Sequence, residues 1–401
     1  MQRPDNLQPT TSSTPLWAMP FRPAFLLAGC WAIIAISIWL AQLRGFIQGA
    51  AGLSGTLWHV HEMLFGFVCA IVIGFLLTAV QNWTGLRAPH GNSLLLISVL
   101  WLAGRLVLLF GQGLPLYLVA AIDLSFLPVC AYLLAVPLLR VGQQRNLFFV
   151  PVLLLLTSCN LLMYIGVATD RFELVQMGSQ NAVWLVTLLM AIVGGRVLPM
   201  FTANGTQTPK VAAIIWLDRA ALSSLWLIFA LHFFALTSYL PAGVISGLFA
   251  VSALLNAARC WRWKFWLTLK VPLLWSLHLA YWCIPLGLAL YSARYAGMAI
   301  SNSIALHALT AGAMGSMILS MIARVSLGHS GRVLKPHAVM SLAFLLVLLA
   351  AICRTLMLWL FPSETMLWLW FAAIGWVVAY LLYVLVYFPV LTTPRADGRP
   401  G

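Results

Sequence analysis

Apolar residues in this chain neither alternate with polar ones at a strand's spacing of two nor keep to one stripe of a helix. They come in unbroken runs, separated by short stretches that carry the Arg, Lys and most Pro residues. An α-helix needs about 20 such residues, at about 1.5 Å each, to cross the hydrocarbon core of a bilayer. The runs predict twelve spans, near 24–41, 59–81, 94–111, 116–138, 148–167, 175–200, 215–236, 240–257, 271–292, 302–324, 336–361 and 367–391. Continuous runs exclude a closed β-barrel, whose strands alternate over about ten residues. The expected fold is all-α, a polytopic integral membrane bundle of about twelve transmembrane helices. A polar segment at 1–23 precedes one membrane domain at 24–391, and a short tail at 392–401 follows.

Composition sharpens this picture. Of 401 residues, 63% are hydrophobic and 7% charged, against about 25% charged in an ordinary soluble domain. That excludes a soluble enzyme, a disordered tail and a secreted disulfide scaffold, since no soluble fold hides so much apolar surface. The net charge of +14 would suggest nucleic acid in a soluble protein. Here the basic residues stand mostly singly in short loops and read as topology signals, with no nucleic-acid partner. Loops after even-numbered spans carry Arg87, Arg140, Arg145, Lys210, Arg259, Arg262, Lys264, Lys270, Arg332 and Lys335. Loops after odd-numbered spans carry Arg44, Arg171 and Arg294. By the positive-inside rule both termini are cytoplasmic. The first 20 residues lack the pattern of a cleavable signal peptide, so the first span is expected to act as an uncleaved anchor. The seven cysteines include no CxxC or CxxCH, which argues against covalent haem and thiolate zinc.

Ionisable groups inside spans need a reason, because an unpaired one costs several kcal/mol there. Histidine is the conspicuous type. His59 and His61 open the second span in Trp58-His59-Val60-His61-Glu62-Met63. Two residues apart on a helix, they point about 200° from each other and face different neighbours. Glu62 is placed to orient an imidazole through its other nitrogen. His307 lies about five residues into the tenth span, and both His61 and His307 are followed five residues later by a glycine, Gly66 and Gly312. Two facing histidines with small residues beneath are what a haem b with two axial imidazoles requires. His278 lies at the other end of the bundle, and a second cluster is expected there with Arg196, Arg324 and His329. Arginine in Gly194-Gly195-Arg196 would suit haem propionates or a small anion. Arg105 and Asp123 sit at similar depth in adjacent spans and read as a structural ion pair. Arg354 has no evident partner, and His232 reads as a packed helix residue.

These segments resemble the NnrS family. The resemblance rests on Phe21-Arg22-Pro23, Trp58 to Phe67, Gly194-Gly195-Arg196-Val197-Leu198-Pro199, Leu277-His278-Leu279, Leu306-His307-Ala308-Leu309-Thr310 and Ala323 to Arg332, in that order along the chain. It implies a bacterial inner-membrane protein of twelve helices that binds haem and copper, associated with denitrification and with the response to nitric oxide. The histidines above match the family's motif positions, which makes His59, His61, His278 and His307 the expected haem ligands. For copper the candidates are His59 and Met63, an imidazole and a soft thioether. A looser likeness in architecture is to haem-copper oxidases, but the sixth span carries Arg196 and no histidine, so the three-histidine copper site of those enzymes is not visible.

The function expected is therefore haem- and copper-dependent handling of nitric oxide, an apolar gas that concentrates in lipid, with the reaction and any respiratory electron donor unassigned. A cofactor-free transporter using the histidines as a proton relay is the alternative, although the two six-helix halves show no repeat. A scaffold for other respiratory subunits is a third reading.

Overall fold

In the bilayer core a backbone must satisfy its own N–H and C=O groups, so each apolar run closes into a helix. The computed structural model describes residues 14–47 and 54–399. Its regular structure is helical, with no strand among the described residues. Twelve helices are long and apolar enough to cross a membrane: α1 Phe21–Leu43, α2 Gly55–Thr84, α3 Asn92–Phe110, α4 Leu116–Arg140, α5 Gln144–Ala168, α6 Phe172–Thr206, α7 Ile215–Phe233, α8 Ala242–Arg262, α9 Pro272–Tyr295, α10 Asn302–His329, α11 Val339–Leu360 and α12 Pro362–Thr392. The chain is a multi-pass membrane bundle, and each of the twelve expected spans has its helix. The largest boundary difference is in α6, which runs on through Pro199 to Thr206 where the sequence reading stops at 200. Most of the polar N-terminal segment, residues 1–13, lies outside the described residues, as do 400–401 of the tail.

α2, α6, α9 and α10 are the most enclosed helices. α3 and α4 flank α2, α5 and α7 flank α6, and α8 packs on α9. α1 and α12 pack side by side, so the two ends of the described chain meet. Arg22 of α1 donates to the carbonyls of Leu391 (2.9 Å) and Thr393 (2.7 Å), satisfying carbonyls that the end of α12 leaves open. Close packing depends on small residues at crossings. A Cβ on Gly74 of α2 would lie 2.6 Å from Ala24 of α1. Outward faces stay apolar, with Leu95, Leu96 and Val99 of α3 and Val251 and Leu254 of α8 exposed where lipid would lie.

Three helices change pitch. α2 is π-helical over Glu62–Val68, α10 over Ala308–Gly315 and α11 over Cys353–Met357. The wider turn shifts the register of side chains on either side of it and recurs at functional sites. α2 and α10 also start alike. The Ser54 hydroxyl accepts from Leu57 N–H (3.3 Å), and that of Ser301 from Ile304 N–H (3.2 Å). Each cap satisfies one donor of a first turn, and each helix reaches its histidines before its π turn begins.

Candidate functional site

The three π-helical segments converge on one cavity. It encloses about 890 Å³ of empty space, mouth included, between α1, α2, α6, α10, α11 and α12. Met63, Leu64, Phe67 and Val68 come from the first π segment, Thr310, Ala311 and Met314 from the second, and Arg354 from the third. The lining is mainly apolar and includes two imidazoles, His59 and His307.

The two imidazoles are held differently. His307 Nδ1 stands 2.7 Å from the Ser303 carbonyl oxygen, one turn back. A carbonyl can only accept, so Nδ1 carries the proton and Nε2 the lone pair. The His59 ring instead stacks on Trp39, 4.5 Å between centroids, and its buried Nδ1 has no hydrogen-bond partner. Arg354 donates to Ser303 Oγ (3.1 Å). No carboxylate among the described residues lies within ion-pair distance of Arg354. The cavity thus holds a cation without an anion, which in a site of low dielectric invites one.

His61 is elsewhere. The sequence reading set it opposite His307, but His59 is the residue that faces the cavity. His61 turns to the other side of α2, into a cluster with α3, α4 and α5. Its Nδ1 is 3.0 Å from Glu62 Oε1, and its Nε2 is 3.0 Å from both Asp123 Oδ2 and Asn160 Oδ1. Both nitrogens meet only acceptors, so both donate, as in an imidazolium, and neither has a lone pair to give a metal. Arg105 lies between the carboxylates of Glu62 and Asp123 and pairs with both. Asn160 Nδ2 (2.7 Å) and the Tyr164 hydroxyl (3.2 Å) also donate to Asp123. Gly66 makes room for this cluster: a Cβ there would lie 2.9 Å from Glu62 Oε2 and 2.7 Å from Trp31 Nε1.

The four residues of the second expected cluster each have contacts of their own. His278 Nε2 is 2.8 Å from Thr202 Oγ1. Arg324 lies over the Phe201 ring, 3.9 Å from its centroid. Arg196 donates to Asn146 Oδ1 (3.0 Å) and sits over Phe148 and Phe149. His329 packs against Phe21, and its carbonyl accepts from Arg395 Nη1 (2.8 Å). Three of these four contact the second half of α6 or belong to it, yet none lines the His59–His307 cavity. The glycines before Arg196 serve other residues. Gly194 admits the Tyr281 ring and Gly195 the Arg259 guanidinium. Arg259 donates to Asp218 Oδ1 (2.7 Å) and Tyr281 Oη (2.9 Å).

Sequence reasoning did not reach Trp39, Asn160 or Tyr164. Asn160 carried a signal, being an amide in the middle of a span. Trp39 carried none, since it is one of 18 tryptophans.

The chain matches the NnrS protein family over residues 15–395, nearly its whole length. No curated protein matches it.

Proposed function

The chain belongs to the NnrS family, and on that premise we propose that it is a haem-binding protein of the bacterial inner membrane that takes up nitric oxide in the His59–His307 cavity. The observation that carries this reading is the pair of imidazoles lining one apolar cavity beside an arginine without a counter-ion.

The residues present fit haem b. The cavity is mainly apolar with a few polar groups converging on it, the usual character of a cofactor site. His307 and His59 supply the two imidazoles, Arg354 the charge for a propionate, and Trp39 a flat wall beside His59. When bound, haem supplies an iron to which the gas coordinates. The chain's own part is unequal support of the two imidazoles. The Ser303 carbonyl fixes the His307 ring and makes its Nε2 more basic, so His307 would hold the group more firmly. His59 has stacking alone to hold it and would hold the group less firmly. The lining is mainly apolar, and the gas needs no hydrogen bond to enter.

Copper, which the family resemblance also implies, would find an imidazole and a thioether in His59 and Met63. No group of three His, Cys, Asp or Glu placed to hold a metal occurs among the described residues. Two donors do not complete a copper site.

The test is the absorbance of the purified protein, oxidised, reduced, and reduced with nitric oxide. A Soret band that shifts with the gas is expected. His307→Ala should lose the haem, whereas His59→Ala should keep it and change its spectrum. A colourless protein from haem-replete cells would overturn the reading and favour the proton-relay transporter.

A further inference from the structure

Further along α2, α6 and α10 lies a second, partly open chamber with about 650 Å³ of empty space, its mouth included. On each helix its lining continues that of the first cavity: Val68–Leu76 follows Met63–Val68, Val186–Val193 follows Ser179 and Val183, and Met317–Ile322 follows Leu306–Met314. Val68 lines both spaces. Phe25 of α1 and Phe149 of α5 complete the walls.

The chemistry of this lining is uniform. Every residue in it is Val, Ile, Leu, Phe or Met. A water there would have no side-chain partner, and apolar spaces take up apolar guests such as xenon. A polar or charged ligand would lose its hydrogen bonds on entering. Three of the wall residues, Met190, Met317 and Met321, are unbranched and adaptable, so the space can widen for a guest without backbone movement.

We propose that this chamber is a holding and access site for a small apolar gas, which reaches the His59–His307 cavity from the bilayer core by passing Val68. The proposal deepens the gas-binding reading and rests on it for its purpose. The gas is favoured over a lipid acyl chain because the chamber shares a wall residue, Val68, with the first cavity and has no headgroup-binding cation in its lining. Arg196 and Arg324, the cations nearest along α6 and α10, do not line it. Passage past Val68 is a diffusion step and involves no bond making. The chamber would raise the local gas concentration beside the His59–His307 cavity.

Xenon is the probe for the chamber, and it does not depend on haem. Saturable xenon binding to the purified protein, read by xenon NMR exchange, is expected in the wild type and is expected to be lost in Met190→Trp, which fills the chamber. Ile71→Phe is a milder filling variant should the tryptophan prevent folding. In haem-loaded protein, the filled variant should slow nitric oxide association and release alike by about tenfold, equivalent to about 1.4 kcal/mol on one barrier. Its equilibrium affinity should stay unchanged. No saturable xenon binding, or a phospholipid chain co-purifying in the chamber, would overturn the proposal. So would unchanged association kinetics in a variant that no longer binds xenon. A colourless protein would fail the haem reading separately and leave the xenon result to decide whether the chamber holds a gas.

Discussion

Arg105 separates two buried carboxylates, and the stability of its surroundings follows from that position. Glu62 and Asp123 bring two negative charges to a site that water does not reach, and Arg105 with a doubly donating His61 balances them. Taking out one member leaves an uncompensated charge. Arg105→Met is expected to cost about 3–5 kcal/mol, the range for a broken buried pair. Asp123→Asn added to it removes the excess negative charge, leaving Glu62 facing His61. The double variant should therefore be more stable than the sum of the two single losses predicts. Unfolding of the three variants in mixed micelles measures the coupling, and strict additivity would mean that the four groups do not act as one. The Arg105–Asp123 pair was legible in the sequence, because two charges at equal depth in neighbouring spans have no cheaper state. The membership of Glu62, His61 and Asn160 was not, since it depends on how far α2 is rotated at that level.

That rotation belongs to the helix as an element. Spacing along α2 showed that His59 and His61 face apart, but not which of them faces α10. The π-helical turns decide that, and no residue type marks such a turn in a sequence. Gly66, Gly312 and Gly315 fall within the π segments of α2 and α10, yet glycines in a span also serve ordinary close packing. Deleting one residue from the α10 segment, Ala311, should restore α-helical pitch, remove the widened turn and re-aim the side chains between His307 and Met317. The variant is expected to reach the membrane with its helical content intact and to bind no haem, as judged by circular dichroism and the Soret band of the same preparation. Full haem occupancy in that variant would show that the pitch change does not place the histidine.

Across the whole molecule, the number of helices was readable because each span is its own hydrophobic run. The neighbour relations were not: nothing local says that α1 lies against α12, or that α2, α6 and α10 together enclose a cavity. Orientation is different again, since it is set by the loops. The His59–His307 cavity lies toward the end where α2 and α10 begin. The loops at that end carry Arg44, Arg171 and Arg294, while the opposite end has most of the basic residues. The charge asymmetry predicts that the cavity opens toward the periplasmic side. The seven cysteines all lie within helices, four buried and three half-buried, so a cysteine placed in a loop stands out. Leu114→Cys, between α3 and α4, should react in intact cells with a maleimide that cannot cross the inner membrane. His90→Cys, between α2 and α3, should react only after lysis. The reverse pattern would turn the molecule over and put the cavity on the cytoplasmic side. The chamber reading would survive that inversion, because a gas dissolved in the bilayer core approaches from the lipid, whichever way the bundle is inserted.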